Sequence, residues 1–385
     1  MTDSSSSRKY QLCTYCVMDT SDPEITFDAD GVCNHCSGFA ELAANRWFPN
    51  EEGGRKWAAL VEQIKRAGED KPYDSILGLS GGVDSSYLAL KIHEAGLRPL
   101  VVHVDAGWNS ELAVANIEAI VEHCDFDLHT DVINWEDMRD LQLAFLRSGV
   151  SNQDVPQDHA FFASLYRFAV DNGIQTVFSG GNLATEGIFP ASWQGDAMDV
   201  VNLKAIHKRF GSRKLKSYPT INFLEYYFYF PFVRKMRTVR PLNYMSYNKE
   251  DAMAELAAKC RWRGYGRKHG ESLFTRLFQN HLLPKRFGYD KRRPHYSSLI
   301  VSGQMSRENA IKALEEPLYD PTELETDISY FCKKLRISRQ DFDAILAEPV
   351  RSHSDFPTWE RRKQLAKKAQ SVLERLRGRK VSVYS

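Results

Sequence analysis

Short apolar runs alternate with amphipathic stretches between residues 75 and 179 of the chain. The runs are rich in Ile, Leu and Val, as in strands buried on both faces, and the stretches between them repeat apolar positions with a helical period. The predicted strands are 75–79, 100–104, 127–133 and 176–179. The predicted helices are 56–66, 84–94, 111–123, 136–147 and 157–172. This alternation predicts an α/β fold with a doubly wound parallel sheet, whose ligands lie at the carboxyl ends of the strands.

The pattern changes on both sides of this alternation and predicts three regions. A cysteine-rich region, the α/β domain and a helical region are expected over 1–50, 56–250 and 251–385. Pro49 and the glycine pair that follows it favour a linker over 37–57. Residues 223–232 are dense in aromatic side chains. Such a tract predicts core packing, with a partner-docking surface or a sugar-stacking wall as alternatives.

Charge is nearly balanced over the chain, with 51 Lys and Arg against 50 Asp and Glu, but it is unevenly distributed. Residues 361–380 hold nine basic residues and one acid, which favours a solvated amphipathic helix over a surface for an acidic partner or polyanion. Residues 204–216 hold six basic residues and no acid, and either screen a phosphorylated substrate or form a solvated loop. The serine-rich start lacks the apolar core of a signal peptide, and no apolar run is long enough to span a membrane, so we expect a cytoplasmic protein.

Four of the seven cysteines form two Cys-x-x-Cys pairs near the N-terminus, separated by sixteen residues. The pairs are Cys13 with Cys16 and Cys33 with Cys36. Between them, residues 25–32 have the pattern of a hairpin with an Asp-Gly turn, which is how a zinc ribbon holds its two thiolate pairs together. Four cysteine ligands predict a closed structural zinc site, with an iron–sulfur cluster or redox thiols as alternatives.

A phosphate-binding loop is predicted directly after the first strand, where the sequence reads Ser-Gly-Gly-Val-Asp-Ser-Ser. Adjacent glycines let the backbone approach an anion, hydroxyl and N–H groups donate to it, and the following helix directs its positive end there. The lysine of the common Gly-x-x-x-x-Gly-Lys-Ser/Thr loop is absent, which favours pyrophosphate binding, with Asp84 as a candidate for Mg²⁺. The predicted nucleotide-binding residues here are Ser80, Gly81, Gly82, Asp84, Ser85 and Ser86.

Two further strand ends carry polar residues that we expect to lie near this loop. His103 and Asp105 end the second strand, where Asp105 either faces ribose or magnesium or caps a helix. A second glycine turn follows the fourth strand. Its predicted nucleotide-binding residues are Gly180, Gly181, Asn182 and Glu186.

The helical region opens with two segments that mix charged, aromatic and glycine residues, 262–276 and 288–304. A purely structural helix does not need this mixture. The basic residues of the second segment suit the negative charge that develops on phosphate during adenylation, with simple surface charge as the alternative. The candidate catalytic residues, together with Asp84, are His269, Glu271, Lys291 and Arg292.

The Ser-Gly-Gly-x-Asp-Ser loop resembles the signature of the PP-loop ATP pyrophosphatases, which split ATP into AMP and pyrophosphate. Together with the four cysteines, the second glycine turn, Lys-His-x-Glu-Ser and Asp-Lys-Arg-Arg-x-His-x-Ser-Ser-Leu-Ile, it makes the sequence similar to the N-acetyl sugar amidotransferases from about Cys13 to about Asn309. The resemblance implies the PP-loop fold, also called adenine nucleotide alpha hydrolase-like. It departs from the superfamily at Ala184 and Thr185, where many members carry two acids, so a metal role borrowed from those acids is in doubt.

The resemblance also implies a reaction. ATP adenylates the acetamido oxygen of an N-acetylated sugar or sugar nucleotide, and ammonia then displaces AMP to give an acetamidino sugar for lipopolysaccharide O-antigen or flagellin glycans. Ammonia would come from a separate glutamine amidotransferase subunit, with a barrel subunit as a further possible partner that channels it. ATP, Mg²⁺ and structural Zn²⁺ are the implied cofactors. His269 and Glu271 would position substrate or manage protons, and Lys291 and Arg292 would meet phosphate charge.

The main rival is a PP-loop tRNA sulfurtransferase, which combines a zinc domain with the same loop. Those enzymes usually need catalytic cysteines near the loop and a basic RNA face. Here only Cys124, Cys260 and Cys332 are spare, and the chain outside its tail is acidic, so nucleic acid is a disfavoured partner. A zinc-ribbon adaptor with a vestigial nucleotide fold is the non-enzymatic alternative.

Overall fold

The central sheet in the computed structural model, which describes residues 9–265 and 270–377, has five parallel strands in the order β3-β2-β1-β4-β5. The strands are β1 (Ser75–Gly78), β2 (Pro99–Asp105), β3 (Leu128–Val132), β4 (Thr176–Phe178) and β5 (Arg237–Val239). Leu77 of β1 pairs with Val101 on one side and with Phe178 on the other, which makes β1 the middle strand. The doubly wound parallel fold is therefore confirmed. The fifth strand was not predicted, because three residues carry too little periodicity to distinguish a strand.

Helices cover both faces of this sheet. They are α1 (Asn34–Arg46), α2 (Glu51–Ala67), α3 (Val83–Glu94), α4 (Glu111–Cys124), α5 (Trp135–Ser148), α6 (Val155–Asp171), α7 (Leu183–Glu186), α8 (Val200–Phe210) and α9 (Lys249–Cys260). One apolar core lies between the sheet and α5, α6 and α8, and a second lies between the sheet and α2, α3, α4 and α9. The carboxyl edge of the sheet, where β1 and β4 end, stays open between these layers.

Two predicted loops contain helices instead. The expected linker over 37–57 holds most of α1 and the start of α2, and the basic segment 204–216 begins inside α8. Helix α1 buries only Cys36 and Phe39, so its apolar pattern is too sparse to reveal it. The prediction of a linker there was wrong.

The aromatic tract forms a π-helical segment, Glu225–Val233, rather than a fully buried core element. Phe230 is buried, and Tyr226 and Tyr227 pack their rings against Trp359. Phe228 and Phe232 are exposed. The prediction of core packing is thus correct for only part of the tract.

The C-terminal region is helical and forms hydrogen bonds with the cysteine-rich segment. Its helices are α10 (Leu273–Leu277), α11 (Leu283–Phe287), α12 (Arg292–Val301), α13 (Arg307–Glu315), α14 (Pro321–Leu335), α15 (Arg339–Ala347) and α16 (Glu360–Arg377). The Arg307 guanidinium donates to the carbonyls of Cys13 and Cys16, at 2.8 and 3.1 Å, and Arg293 donates to the carbonyl of Val17 at 3.0 Å. The N-terminal cysteines therefore support the start of α12 and α13. Within the described residues, no helix combines the length and apolarity needed to cross a membrane.

Candidate active site

The predicted phosphate-binding loop lies between β1 and α3, at the open edge of the sheet. Gly81 has a φ of +80°, and a Cβ there would stand 2.6 Å from the carbonyl oxygen of Ala113, so only glycine fits. The Ser80 and Ser85 hydroxyls lie 3.1 Å apart, and Ser80 Oγ also accepts from the N–H of Gly82 at 3.4 Å. The loop is thus held by its own side chains, with hydroxyl groups beside the positive end of α3.

Asp84 is fixed by two long-range hydrogen bonds. Its Oδ1 accepts from Asn182 Nδ2 at 3.0 Å and from the Tyr247 hydroxyl at 2.7 Å. Burial, followed by the charge of Asp84, raises the pKa of Tyr247 well above its usual range, so the hydroxyl remains a donor. The sequence predicted Asp84 and Asn182 at one site, and the structure joins them. Tyr247 was missed, since a tyrosine between two predicted elements carries no motif.

The second glycine turn packs directly on the first. A Cβ on Gly180 would stand 3.1 Å from the backbone nitrogen of Ser85, so this residue must stay small for the two turns to meet. Asn182 Oδ1 accepts from the N–H of Thr185 at 2.9 Å and begins α7, whose last residue is Glu186. The two turns together form one wall at the carboxyl edge of the sheet.

Two adjoining cavities open from this wall. The larger, about 810 Å³, contains eight of the predicted nucleotide-binding residues; the smaller is about 710 Å³. The predicted residues on the larger cavity are Ser80, Gly82, Asp84, Ser85, Gly180, Gly181, Asn182 and Glu186. Asp84 and Glu186 line both cavities, as do Glu271 and Lys291. These four residues therefore stand where the two cavities meet.

The side chains of three other predicted nucleotide-binding residues line neither cavity. Ser86 is fully buried inside α3, and its hydroxyl has no partner among the described residues. His103 places Nδ1 3.0 Å from the carbonyl oxygen of Leu79, and Asp105 accepts from the N–H of Gly107 at 2.7 Å. Side chains alternate along a strand, so Val104, between them, lines the larger cavity instead.

Gly81 lines neither cavity, but its carbonyl oxygen is held from the C-terminal side. It accepts from the Trp262 indole at 3.1 Å and from the Tyr265 hydroxyl at 2.8 Å. Both aromatic residues also line the smaller cavity. The mixture of glycine and aromatic residues over 262–276 was the sequence signal for this contact. It marked the segment without indicating which atoms would meet.

Lys291 and Arg292 are adjacent in sequence, but their side chains point to different parts of the structure. Lys291 reaches the junction of the cavities, where its Nζ lies 3.4 Å from the ring centroid of Phe189, and burial lowers its pKa to about 8. Arg292 turns away, pairs with Asp290 at 2.8 Å and donates to three carbonyls at the end of α13, including that of Glu316 at 2.7 Å. Arg292 thus caps the end of α13 and lines neither cavity, so the structure does not bring it together with the other candidate catalytic residues. His269 lies outside the described residues.

The C-terminal side of this site is similar to a known protein family. Residues 271–370 match the family described as LPS biosynthesis protein WbpG-like, C-terminal domain. Residues 271–370 are similar to that domain, and we call them the WbpG-like domain. It begins at Glu271 and includes Lys291, so the WbpG-like domain contributes two side chains to the junction of the cavities. The match supports the resemblance to the N-acetyl sugar amidotransferases.

Two solved structures are similar to about a third of the chain at low identity. An NMN synthetase from Francisella tularensis has 20% identity and a TM-score of 0.28, over 36% of this chain and 59% of that one. An NH3-dependent NAD synthetase from Campylobacter jejuni, solved with nitrate, has 15% identity and a TM-score of 0.27, over 36% and 62%. The chain spans about three fifths of the length of these two structures. None of the curated proteins matches it.

The four N-terminal cysteines form a separate cluster that could hold a metal ion. All four are buried, and their sulfur atoms lie within 4.8 Å of one another, the only such cluster of potential ligands in the described residues. Sulfurs 2.3 Å from a tetrahedral zinc ion would be about 3.8 Å apart. The closest Sγ pairs here are Cys16–Cys33 at 3.6 Å, Cys33–Cys36 at 3.7 Å and Cys13–Cys36 at 4.0 Å. This geometry fits a closed tetrahedral Cys₄ zinc site.

Proposed function

We propose that this protein is an ATP-dependent amidotransferase that converts the acetamido group of an N-acetylated sugar, carried as a sugar nucleotide, into an acetamidino group for surface glycan biosynthesis. The observation that carries the proposal is the shared junction of the two cavities. There the Ser80–Ser85 loop and the WbpG-like residues Glu271 and Lys291 line one space. Nucleotide chemistry and glycan chemistry thus meet at the same place.

ATP fits the larger cavity, since its adenosine end can lie along the strand ends while its phosphates meet the loop. Ser80, Gly82 and Ser85 would donate to the pyrophosphate, and Asp84 would hold Mg²⁺, which would neutralise phosphate charge. Asp84 needs no further carboxylate, because protein-bound Mg²⁺ usually keeps several waters and is held by one or two acids. A hydroxyl-rich loop with a single fixed aspartate is suited to this task.

The sugar fits the smaller cavity, where Trp262, Tyr265 and Tyr296 offer aromatic faces. Its acetamido oxygen would then reach the α-phosphorus at the junction and be adenylated, with pyrophosphate leaving onto the loop. Lys291 meets the phosphate charge that develops during this step. Ammonia next attacks the imidate carbon and AMP departs, leaving the amidine.

Ammonia must come from outside the described residues, and a separate glutaminase subunit is the proposed supplier, with a channelling barrel subunit as a further partner. A cytoplasmic setting suits both this supply and the ATP requirement. Zinc has no role in the chemical steps, because four thiolates leave no open coordination position.

The tRNA sulfurtransferase alternative requires a reactive thiol at the site. Cys124 and Cys260 are both 2% exposed in the core between α3, α4 and α9, and burial raises the pKa of Cys124 to about 12 and also raises that of Cys260. Cys332 is buried in the C-terminal core, where burial raises its pKa as well. None lines either cavity. A thiol that stays protonated and buried is a poor nucleophile.

The direct test incubates the purified protein with ATP, Mg²⁺, ammonium chloride and a panel of N-acetylated sugar nucleotides. The expected products are AMP, pyrophosphate and a sugar whose mass shows the exchange of oxygen for NH, detected by mass spectrometry. Sugars with a free amine in place of the acetamido group are the matched controls and should release no pyrophosphate. Sugar-independent release, or sulfur transfer to tRNA by the same preparation, would contradict the proposal.

A further inference from the structure

The wall of the larger cavity that faces the loop carries two acidic residues that no sequence motif marked. Asp154 precedes the first turn of α6 and Asp158 lies one turn further on, so both carboxylates reach the same face of the helix. Asp154 accepts from Gln157 Nε2 at 2.6 Å. No hydrogen bond or ion pair engages the Asp158 carboxylate within the described residues.

Lys291 is the positive group that faces this pair. It lines the same cavity, and its charge opposes the effect of burial on Asp158. Burial raises the pKa of both aspartates, and the charge of Asp158 raises that of Asp154 further. Thr275 Oγ1 donates to Asp154 Oδ1 at 3.5 Å, and Asp84, Glu186 and Glu271 line the same cavity. Because the pKa of Asp154 is raised further than that of Asp158, Asp158 is the carboxylate of the pair that is available to accept a proton.

The lining of the larger cavity has more acids than bases. The acids are Asp84, Asp154, Asp158, Glu186 and Glu271, against Lys291 and Arg240. Asp84 would hold the magnesium that accompanies ATP, at the loop. A carboxylate on the α6 wall can accept the proton that the attacking ammonia of the proposed function must lose.

We propose that Asp158, supported by Asp154 and Lys291, is the acceptor site for ammonia, where its carboxylate takes the proton that the attacking nitrogen loses. This inference rests on the proposed amidotransferase function. The nitrogen lone pair forms a bond to the imidate carbon, one N–H proton passes to Asp158, and the carbon–oxygen bond to AMP breaks with its electron pair on the phosphate oxygen. The nucleophile is free ammonia, so ammonium loses its first proton to solvent before attack.

The test separates the two halves of the reaction. Sugar-dependent exchange of pyrophosphate into ATP reports adenylation, and ammonium-dependent formation of amidine reports attack. For Asp158→Asn we expect exchange within about twofold of wild type and amidine formation lower by about 100-fold or more. Asp171→Asn, at the exposed end of the same helix, is the matched control and should change neither.

Hydroxylamine distinguishes proton transfer from a general loss of structure. It is largely uncharged at neutral pH and needs less help from a base, so Asp158→Asn should keep much more of its activity with hydroxylamine than with ammonium. Loss of exchange together with amidine formation would overturn the inference in favour of a nucleotide-binding role. Equal losses with the two nucleophiles, or unchanged ammonium turnover, would also overturn it. Absence of exchange in the wild-type protein with every N-acetylated sugar would instead remove the proposed function itself.

Discussion

The loop over 80–86 and the segment over 290–293 border the same cavities but depend on different parts of the chain. The loop is held locally, by hydrogen bonds between Ser80 and Ser85 and by the glycine conformations that α3 requires. The second segment is held from a distance, because Arg293 binds the carbonyl of Val17 beside the cysteine cluster. A nucleotide loop can therefore be recognised from its own residues, whereas the facing wall exists only when distant regions pack.

Each segment also contains two adjacent residues, one with a side chain that lines a cavity and one with a side chain that does not. Ser85 lines the larger cavity and Ser86 is buried, just as Lys291 lines both cavities and Arg292 caps α13. Successive helical residues point about 100° apart, which is enough to separate a binding side chain from a structural one. Separate variants of the two residues in each pair therefore distinguish a binding role from a structural one.

The largest effect on pyrophosphate release is expected from a change in the loop over 80–86, at Asp84. Asp84→Asn keeps an oxygen for Tyr247 and Asn182 but removes the charge that would hold Mg²⁺, so pyrophosphate release should fall by about 100-fold or more. The thermal unfolding midpoint should stay close to that of the wild type. Asp70→Asn, at an exposed turn, is the matched control. Release at the wild-type rate by the Asp84 variant would remove this residue from the metal site.

Changes to the four-cysteine cluster test whether the segment over 290–293 depends on its contacts with the N-terminal region. Cys36→Ser, or removal of zinc by a chelator, should lower the free energy of unfolding by several kcal/mol, because a structural metal contributes its binding energy to folding. Turnover should fall as well, since Arg307 and Arg293 anchor α12 and α13 to this cluster. Zinc content by elemental analysis and thermal unfolding are the measurements.

Cys124→Ser is the control for this change, because it also replaces a buried thiol but lies outside the cluster. It should keep bound zinc and retain turnover. Loss of turnover in both Cys124→Ser and Cys260→Ser would favour the sulfurtransferase alternative. A zinc-free protein with normal stability would show that the cysteines serve another purpose, such as redox chemistry.

Variants of Lys291 and Arg292 provide the next test, because one should change turnover and the other should change the free energy of unfolding. Lys291→Met should lower turnover by about 10-fold to 100-fold and leave stability nearly unchanged. Arg292→Met should leave turnover nearly intact and lower the free energy of unfolding by about 1.5–3 kcal/mol, because charge-assisted hydrogen bonds to Asp290 and to the end of α13 are lost. An activity loss confined to the Arg292 variant would reverse the assignment.

The lowered pKa of Lys291 adds a pH dependence to the same pair. Its role requires the charged ammonium form, which is present below a pKa of about 8 and is lost as the pH rises through that value. Wild-type turnover should therefore decline above about pH 8, and the Arg292→Met variant should show the same decline. Lys291→Arg stays charged throughout this range, so the decline should disappear in whatever activity it retains.

The difference between the two segments also indicates which features of the fold and the site can be predicted from the sequence. Strand and helix periodicity predicted four of the five strands and the glycine turns, because each depends on neighbouring residues. Strand β5, the capping role of Arg292 and the burial of Ser86 depend on side-chain direction and distant contacts. Asp158 shows the limit most clearly, since an aspartate one turn into a helix has no local signature of the cavity that it faces.

The smallest expected effect separates Ser85 from Ser86. Ser85→Ala removes a hydroxyl that faces the cavity and bonds Ser80, so KM for ATP should rise by about 5-fold to 10-fold. Ser86→Ala removes a buried hydroxyl without a partner in the described residues, so stability should be unchanged or slightly higher, with KM unaltered. Steady-state pyrophosphate release and thermal unfolding distinguish the two. A larger rise in KM for Ser86→Ala would mean that α3 turns on binding ATP, so that the loop is less rigid than its internal hydrogen bonds indicate.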